Sequence, residues 1–210
     1  MKYDFHIHSK YSSDGFLDPK KIVKIAIKRG LNGIAVTDHD TIKGGLKTKE
    51  YETEDFKVII GSEVSTTKGE IIGLFLEQEI KSVEYYEVVD EIKAQNGIVV
   101  VPHPFDNWRN SASLTKEDYK LVNNIEIFNS RCVEDKYNQK ASLFAKNNNL
   151  SVIGGSDAHF ANEIGNAGII IETNDPRNAI LKNNLKVFGK RSTPLNHVLT
   201  KILKMRRKYF

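Results

Sequence analysis

An α/β fold with a largely parallel sheet is predicted by two features of the sequence. Short runs rich in Ile and Val alternate with helix-like segments along most of the chain. Several of those runs are continuously apolar, as in strands buried on both faces. A third observation gives the sheet, open or closed, a working end. Five of the six histidines (His6, His8, His39, His103 and His159) lie at or just past the end of such a run. In parallel α/β folds ligands bind outside the carboxyl ends of the strands, so residues dispersed in sequence converge there.

Predicted strands cover residues 3–8, 33–37, 57–64, 70–76, 97–102, 124–128, 151–154 and 167–171. The clearest helix runs over 19–29. Asp18 is its N-cap, Pro19 takes the first helical position, and Gly30 stands just past its end. Ile22, Val23, Ala26 and Ile27 form its apolar stripe. Residues 83–95 and 134–147 read as similar helices, and the Asn-rich patches at 147–149 and 183–184 as helix ends or loops. After Pro194, Leu195, Val198, Leu199, Ile202 and Leu203 recur at helical spacing, opposite a basic face. No internal repeat or low-complexity linker interrupts the pattern.

The chain has 210 residues, 28% charged and 40% hydrophobic, which suits one soluble globular domain or at most two small ones. No apolar stretch approaches the ~20 residues that span a bilayer. The first ten residues hold two His and an Asp, unlike a secretory signal. The single cysteine, Cys132, cannot form an intramolecular disulfide, which is compatible with a cytoplasmic setting. The net charge of +4 is uneven. Residues 176–210 hold ten Lys or Arg and no acid, which leaves 21 basic and 27 acidic residues, a net of −6, in residues 1–175. The expected organisation is therefore an acidic body of residues 1–175 and a basic extension of residues 176–210, packed on or continuing the same domain.

His6-Ile-His8 places two imidazoles on one face of a strand, because the side-chain period is two. Two neutral imidazoles there suit a divalent transition metal. Asp157-Ala-His159 repeats the spacing at another strand end. Glu63 follows a fully apolar strand, where a carboxylate needs a partner such as a metal. Asp14 lies in the loop after the first strand, where an Asp-Gly turn competes with a ligand role. Asp38-His39-Asp40 puts three polar groups after the second strand. His103 is held between two prolines, which fix its direction. Glu126 is placed to point into a barrel. Asn129 and Arg131 end the next strand, and an arginine there can clamp a phosphate. His197 has no acidic company and is given no metal role.

With FHIHSKYSSDG, GIAVTDHDT, GSEVS, VPHPF and GGSDAH in that order, the chain resembles the polymerase and histidinol phosphatase (PHP) family over most of residues 1–172. It is most similar to the small stand-alone phosphoesterases. The resemblance implies a distorted seven-stranded (β/α)7 barrel with the basic C-terminal helix added, and a trinuclear metal site. In that reading His6, His8, Glu63 and Asp157 bind the first metal. Glu63 bridges to a second, also bound by His103. Asp14, His39 and His159 bind the third. Glu70 stands where many relatives have another His, which favours Mn²⁺ or Fe over Zn²⁺ at that centre. Two or three divalent ions (Mn, Fe or Zn) are thus the implied cofactors.

The implied activity is metal-dependent hydrolysis of a phosphate ester by a metal-activated water, with a nucleotide or short oligonucleotide as the leading substrate. A phosphatase for a small metabolite such as histidinol phosphate is the second reading. A non-catalytic nucleic-acid-binding protein with a retained metal site is the third. Asp38 or Asp40 is expected to orient a water or shuttle a proton, and Arg131 and Arg109 to contact phosphate. Lys201, Lys204, Arg206, Arg207 and Lys208 either form a solvated helix face or hold a polyanion. A membrane-surface role or a dimer contact for this helix stays open, as does the oligomeric state.

Overall fold

The first strand, β1 (Lys2–Ile7), is followed by α1 (Pro19–Lys28), β2 (Gly33–His39), α2 (Lys43–Lys49), β3 (Lys57–Thr66), β4 (Gly69–Leu74), α3 (Tyr85–Ala94) and β5 (Ile98–Val101). Then come α4 (Lys116–Tyr119), β6 (Asn124–Asn129), α5 (Asp135–Asn147), β7 (Ser151–Gly155), β8 (Ala167–Ile170), α6 (Pro176–Leu181), β9 (Lys186–Gly189) and α7 (Pro194–Tyr209). This computed structural model describes residues 1–209, with side chains through residue 205. The side chains of Arg206, Arg207 and Lys208, part of the predicted basic face, lie outside the described residues.

Caps account for the helix ends. Asp18 accepts a hydrogen bond from the Lys20 amide at the start of α1. Asn96, Asn149 and Asn183 each adopt positive φ just past a helix, at 56°, 51° and 52°, the last two within the Asn-rich patches read as helix ends or loops. The helices α2, α4 and α6 are not named from sequence, and α2 is hidden by composition, since its KGGLKTK holds two glycines. A side chain at Gly44 would collide with Asp38 and Ser9, so the close approach of this helix to β2 requires its absence.

The nine strands form one sheet in the order β7-β6-β5-β4-β3-β2-β1-β8-β9. Pairing is parallel at β1–β2, β2–β3, β5–β6 and β6–β7. It is antiparallel at β3–β4, β4–β5, β1–β8 and β8–β9. The sheet is therefore mixed, where the apolar runs predicted it largely parallel. The cause is local: β3 and β4 meet through a two-residue turn, far too short for a crossover. The ninth strand, KVFG, is a short, half-exposed edge with little apolar signal.

The ladder curls into a nearly closed barrel. Beyond β7, Ala158 pairs with the end of β1: His8 N donates to Ala158 O at 2.9 Å, and Ala158 N donates to His6 O at 3.2 Å. Tyr3, Phe5, Ala35, Ile59, Ile72, Val100, Ile153 and Ile169 pack together as the apolar interior. On the outside, Ile22, Val23 and Ala26 of α1 pack on Ile34, Val36 and Val58. Val88, Val89 and Ile92 of α3 pack on Ile71, Val99 and Val101. Burial on both faces is what makes these strands read as continuous apolar runs.

The short α4 depends on its cap. Thr115 and Asp118 form a reciprocal capping box, and Asp118 also accepts from Lys68 Nζ at 2.8 Å and Tyr86 Oη at 2.9 Å. Burial alone would raise the Asp118 carboxyl; the bonds from Lys68, Thr115 and Tyr86 carry it down to about 2. The folded-state value is depressed, so this stabilisation is complete above about pH 4 and is lost as pH falls through about 2. Asp118→Ala is expected to cost about 1–3 kcal/mol at neutral pH, measured by urea unfolding. The gap from the parent chain should close as the medium is acidified through that window.

Candidate metal centre

Eight of the nine predicted ligands lie at or just beyond the carboxyl ends of β1, β2, β3, β5 and β7. The ninth, Glu70, comes to the same end because β4 runs antiparallel and Glu70 lies near its start, opposite Ser65. A register shift in β1 between Asp4 and Ile7 resets the alternation, so that Phe5 packs in the barrel and His6 and His8 both reach the centre. Behind His6, the backbone of Gly155 is so close that any side chain there would strike His6 Cβ.

Glu63 is the hub. Its Oε2 lies 3.3 Å from both His6 Nε2 and His8 Nε2 and 3.5 Å from His39 Nδ1, while Oε1 lies 3.0 Å from His103 Nε2. Asp14 reaches His39 Nε2 at 3.4 Å and His159 Nε2 at 3.3 Å. Glu70 lies 3.6 Å from His103 Nε2. Three sets of side chains have donor atoms within 4.8 Å of one another: His8, Asp14, His39 and His159; His6, His8 and Asp157; and Glu63, Glu70 and His103.

The outward ring nitrogens are tied down, which turns the others to the centre. His6 Nδ1 meets Glu126 Oε1 at 3.2 Å, and His8 Nδ1 meets Ser12 Oγ at 3.3 Å. His103 Nδ1 meets Ser111 Oγ at 3.2 Å, and His159 Nδ1 meets the Asp157 carbonyl at 2.9 Å. Glu126 also accepts from His103 N and Asn129 Nδ2, both at 2.9 Å, and Asn129 Nδ2 reaches Asp157 at 3.1 Å. Of these supports Glu126 and Asn129 are marked in the sequence, by their places in and at the end of one apolar run. Ser12 and Ser111 carry no such signal. The backbone is strained here too: Asp40, His103 and Asp157 have positive φ of 55°, 30° and 56°.

The donor set fits cations. A carbonyl only accepts, so His159 Nδ1 carries the proton, and its Nε2 lone pair faces the Asp14 carboxylate at 3.3 Å. Two acceptors that face each other at this distance need a positive charge between them. Burial, and after it the like charges of His8 and Arg131, lower His159 to about 3, so protonation does not supply that charge. Asp157 Oδ1 is buried without a hydrogen-bond partner, with imidazole nitrogens of His8 and His159 at 3.4 Å. Although burial opposes both shifts, the neighbouring His6 and His39 hold Glu63 well below the usual carboxylate range, and the nearby carboxylates of Asp157 and Glu63 carry His8 up to about 9. The centre draws positive charge.

A family model, the PHP domain, matches residues 4–195. The chain belongs to the PHP domain family. An uncharacterized protein of Methanocaldococcus jannaschii is 41% identical over 142 residues, which is 62% of this chain and 82% of that protein. A 5'-3' exoribonuclease of Haemophilus influenzae is 42% identical over 67 residues, which is 31% of this chain and 24% of that protein. The fold is similar to that of a two-domain protein of Bacteroides vulgatus containing a predicted PHP-like metal-dependent phosphoesterase. The TM-score is 0.75 at 22% identity, over 90% of this chain and 65% of that one.

The four residues expected to do other work in this PHP chain are placed differently from one another. Asp38 is held by the loop after β1. It is buried, and its two oxygens accept from Ser9 N at 2.5 Å and Ser9 Oγ at 2.7 Å, which pins the loop after β1. Asp40 turns to Ser65 N at 2.8 Å. Arg131 borders the cavity, and its guanidinium meets Glu163 at 3.0 Å and Thr200 at 3.0 Å. Arg109 reaches the centre and pairs with Asp157 at 2.6 Å.

The cavity over the centre has a volume of about 390 Å³. One side comes from Trp108, Arg109 and Asn110, another from His197, Thr200, Lys201 and Lys204 of α7. The helix thus turns its polar face inward, with Asn196 and Thr200 buried, while Leu195, Val198, Leu199 and Ile202 are exposed. Lys204 Nζ lies 3.6 Å from Asp14. His197, given no role from sequence, borders this cavity, and burial with nearby Arg131 and Arg109 lowers it to about 4. Among the described residues no helix is long and apolar enough to cross a membrane.

Proposed function

We propose that this chain is a metal-dependent phosphoester hydrolase acting on nucleotides or short oligonucleotides. The observation that carries the reading is the convergence of four imidazoles, His6, His8, His39 and His103, on Glu63, with Asp14, Glu70, Asp157 and His159 beside them. His6, His8, Glu63 and Asp157 would hold one divalent ion, Glu63, Glu70 and His103 a second, and Asp14, His39 and His159 a third. Bound there, divalent ions supply Lewis-acid charge and an activated water for attack on phosphorus.

The chain's own groups set the stage. Glu126 holds the proton of His6 Nδ1 and the Asp157 carbonyl that of His159 Nδ1, so both present lone pairs to the centre. Lys201 and Lys204 bring positive charge to the mouth, where it favours an anionic substrate. Arg109, released from Asp157, would be free to meet a phosphate oxygen. The name of the H. influenzae relative supports a nucleic-acid substrate class.

Purified full-length protein is expected to contain two or three transition-metal ions per chain and to release phosphate or nucleotides from oligonucleotides and mononucleotides. A chelator should abolish this, and Mn²⁺ should restore it. Activity that survives complete removal of metal would sink the reading. A clear preference for an amino-alcohol phosphate would move it to a metabolite phosphatase.

A further inference from the structure

We propose that Trp108 selects nucleotides by stacking on the base while the phosphate lies at the donor cluster; this rests on the phosphoesterase reading above. Trp108 is the single tryptophan of the chain, and its side chain is 70% exposed. It borders the same cavity as Asp14, His39, Glu70 and His159. The next residue, Arg109, reaches Asp157, so the indole belongs to a segment that enters the centre one residue later.

The backbone that carries the ring is held. The backbone N–H of Trp108 donates to Asp106 Oδ1 at 3.0 Å, Asp106 is buried, and Arg109 N donates to Asp106 O at 3.1 Å. The turn is therefore anchored and holds the indole out at the mouth. Its chain neighbours Asn107 and Asn110 are exposed and polar, and it borders the cavity with Arg109, Lys201 and Lys204. An aromatic beside cations is the combination that binds nucleotides: a π-face for the base and positive charge for the phosphate. α7 supplies the charge through Lys201 and Lys204, and no ion pair holds Lys201 among the described residues.

The single tryptophan makes the test site-specific. Full-length metal-loaded protein is mixed rapidly with AMP, ribose 5-phosphate or histidinol phosphate, and indole fluorescence is read ahead of turnover. AMP is expected to quench saturably and ribose 5-phosphate to leave the emission unchanged. The ratio of kcat/KM for AMP over ribose 5-phosphate should fall about tenfold in Trp108→Ala and recover in Trp108→Tyr. Equal quenching by AMP and ribose 5-phosphate, no quenching by either, or an unchanged ratio overturns the proposal. A larger response to histidinol phosphate than to AMP overturns the nucleotide assignment. Failure to hydrolyse any phosphate ester defeats the phosphoesterase reading instead, while the fluorescence of the parent chain still decides the role of Trp108.

Discussion

Glu63→Gln is expected to lower kcat/KM on a phosphodiester or nucleotide by about 10³-fold and to reduce the bound metal. Both carboxylate oxygens are engaged on different sides: Oε2 with His6, His8 and His39, Oε1 with His103. An amide keeps the shape but offers one acceptor oxygen and turns an NH₂ toward the imidazoles on the other side. It also removes the one negative charge that the first two proposed ions share. Glu70→Gln is the control. Glu70 touches one imidazole, at 3.6 Å, and its loss should weaken a single centre, for a fall of about 10- to 100-fold. Metal content by elemental analysis and kcat/KM are read together, with far-UV circular dichroism to show an intact barrel. Full metal content in Glu63→Gln, or equal damage from the two variants, would overturn the bridging role.

The residues that could be read from sequence share a physical reason. His6 and His8 are two apart at the end of a strand, and Glu63 is a carboxylate that follows an apolar run, so local pattern alone places them in the barrel mouth. The strands and the capped helix α1 are legible for the same reason: each declares itself within about ten residues. What stayed hidden depends on partners far away in the chain. Ser111 matters because of what it touches, and it belongs to no periodic pattern. The α7 stripe of Leu195, Val198, Leu199 and Ile202 argues for an apolar face turned inward, yet the buried positions are Asn196 and Thr200. Amphipathicity marks two faces of a helix without saying which one the fold will use. Here the polar face finds a polar cavity. The mixed sheet has the same lesson: apolar continuity reports burial on both faces, not strand direction.

Arg131→Ala is expected to destabilise the fold by about 3–5 kcal/mol, far more than the loss of a surface phosphate contact would. Arg131 is buried, and Nη1 meets Glu163 Oε2 at 3.0 Å while Nη2 meets Thr200 Oγ1 at 3.0 Å. Glu163 is fully buried and also accepts from His159 N at 3.0 Å and Phe160 N at 3.1 Å. The guanidinium therefore ties the end of β6 to the turn that carries His159 and to the inner face of α7. Removing it leaves a carboxylate buried without its cation. Arg131→Lys should recover little, because an ammonium cannot direct two donors in a fixed fork at a carboxylate and a hydroxyl. The pair is not fully satisfied even now: Arg131 Nε and Glu163 Oε1 have no hydrogen-bond partner. Replacing both members should consequently cost less than removing one. Arg131→Met with Glu163→Gln is expected to regain most of the stability lost in Arg131→Met, measured by urea unfolding as a double-mutant cycle. Activity should follow the fold in this series, with metal content and kcat/KM returning together in the double variant. If Arg131→Met instead left stability unchanged and raised KM for phosphate esters by about 10²-fold, the guanidinium would be a phosphate clamp after all.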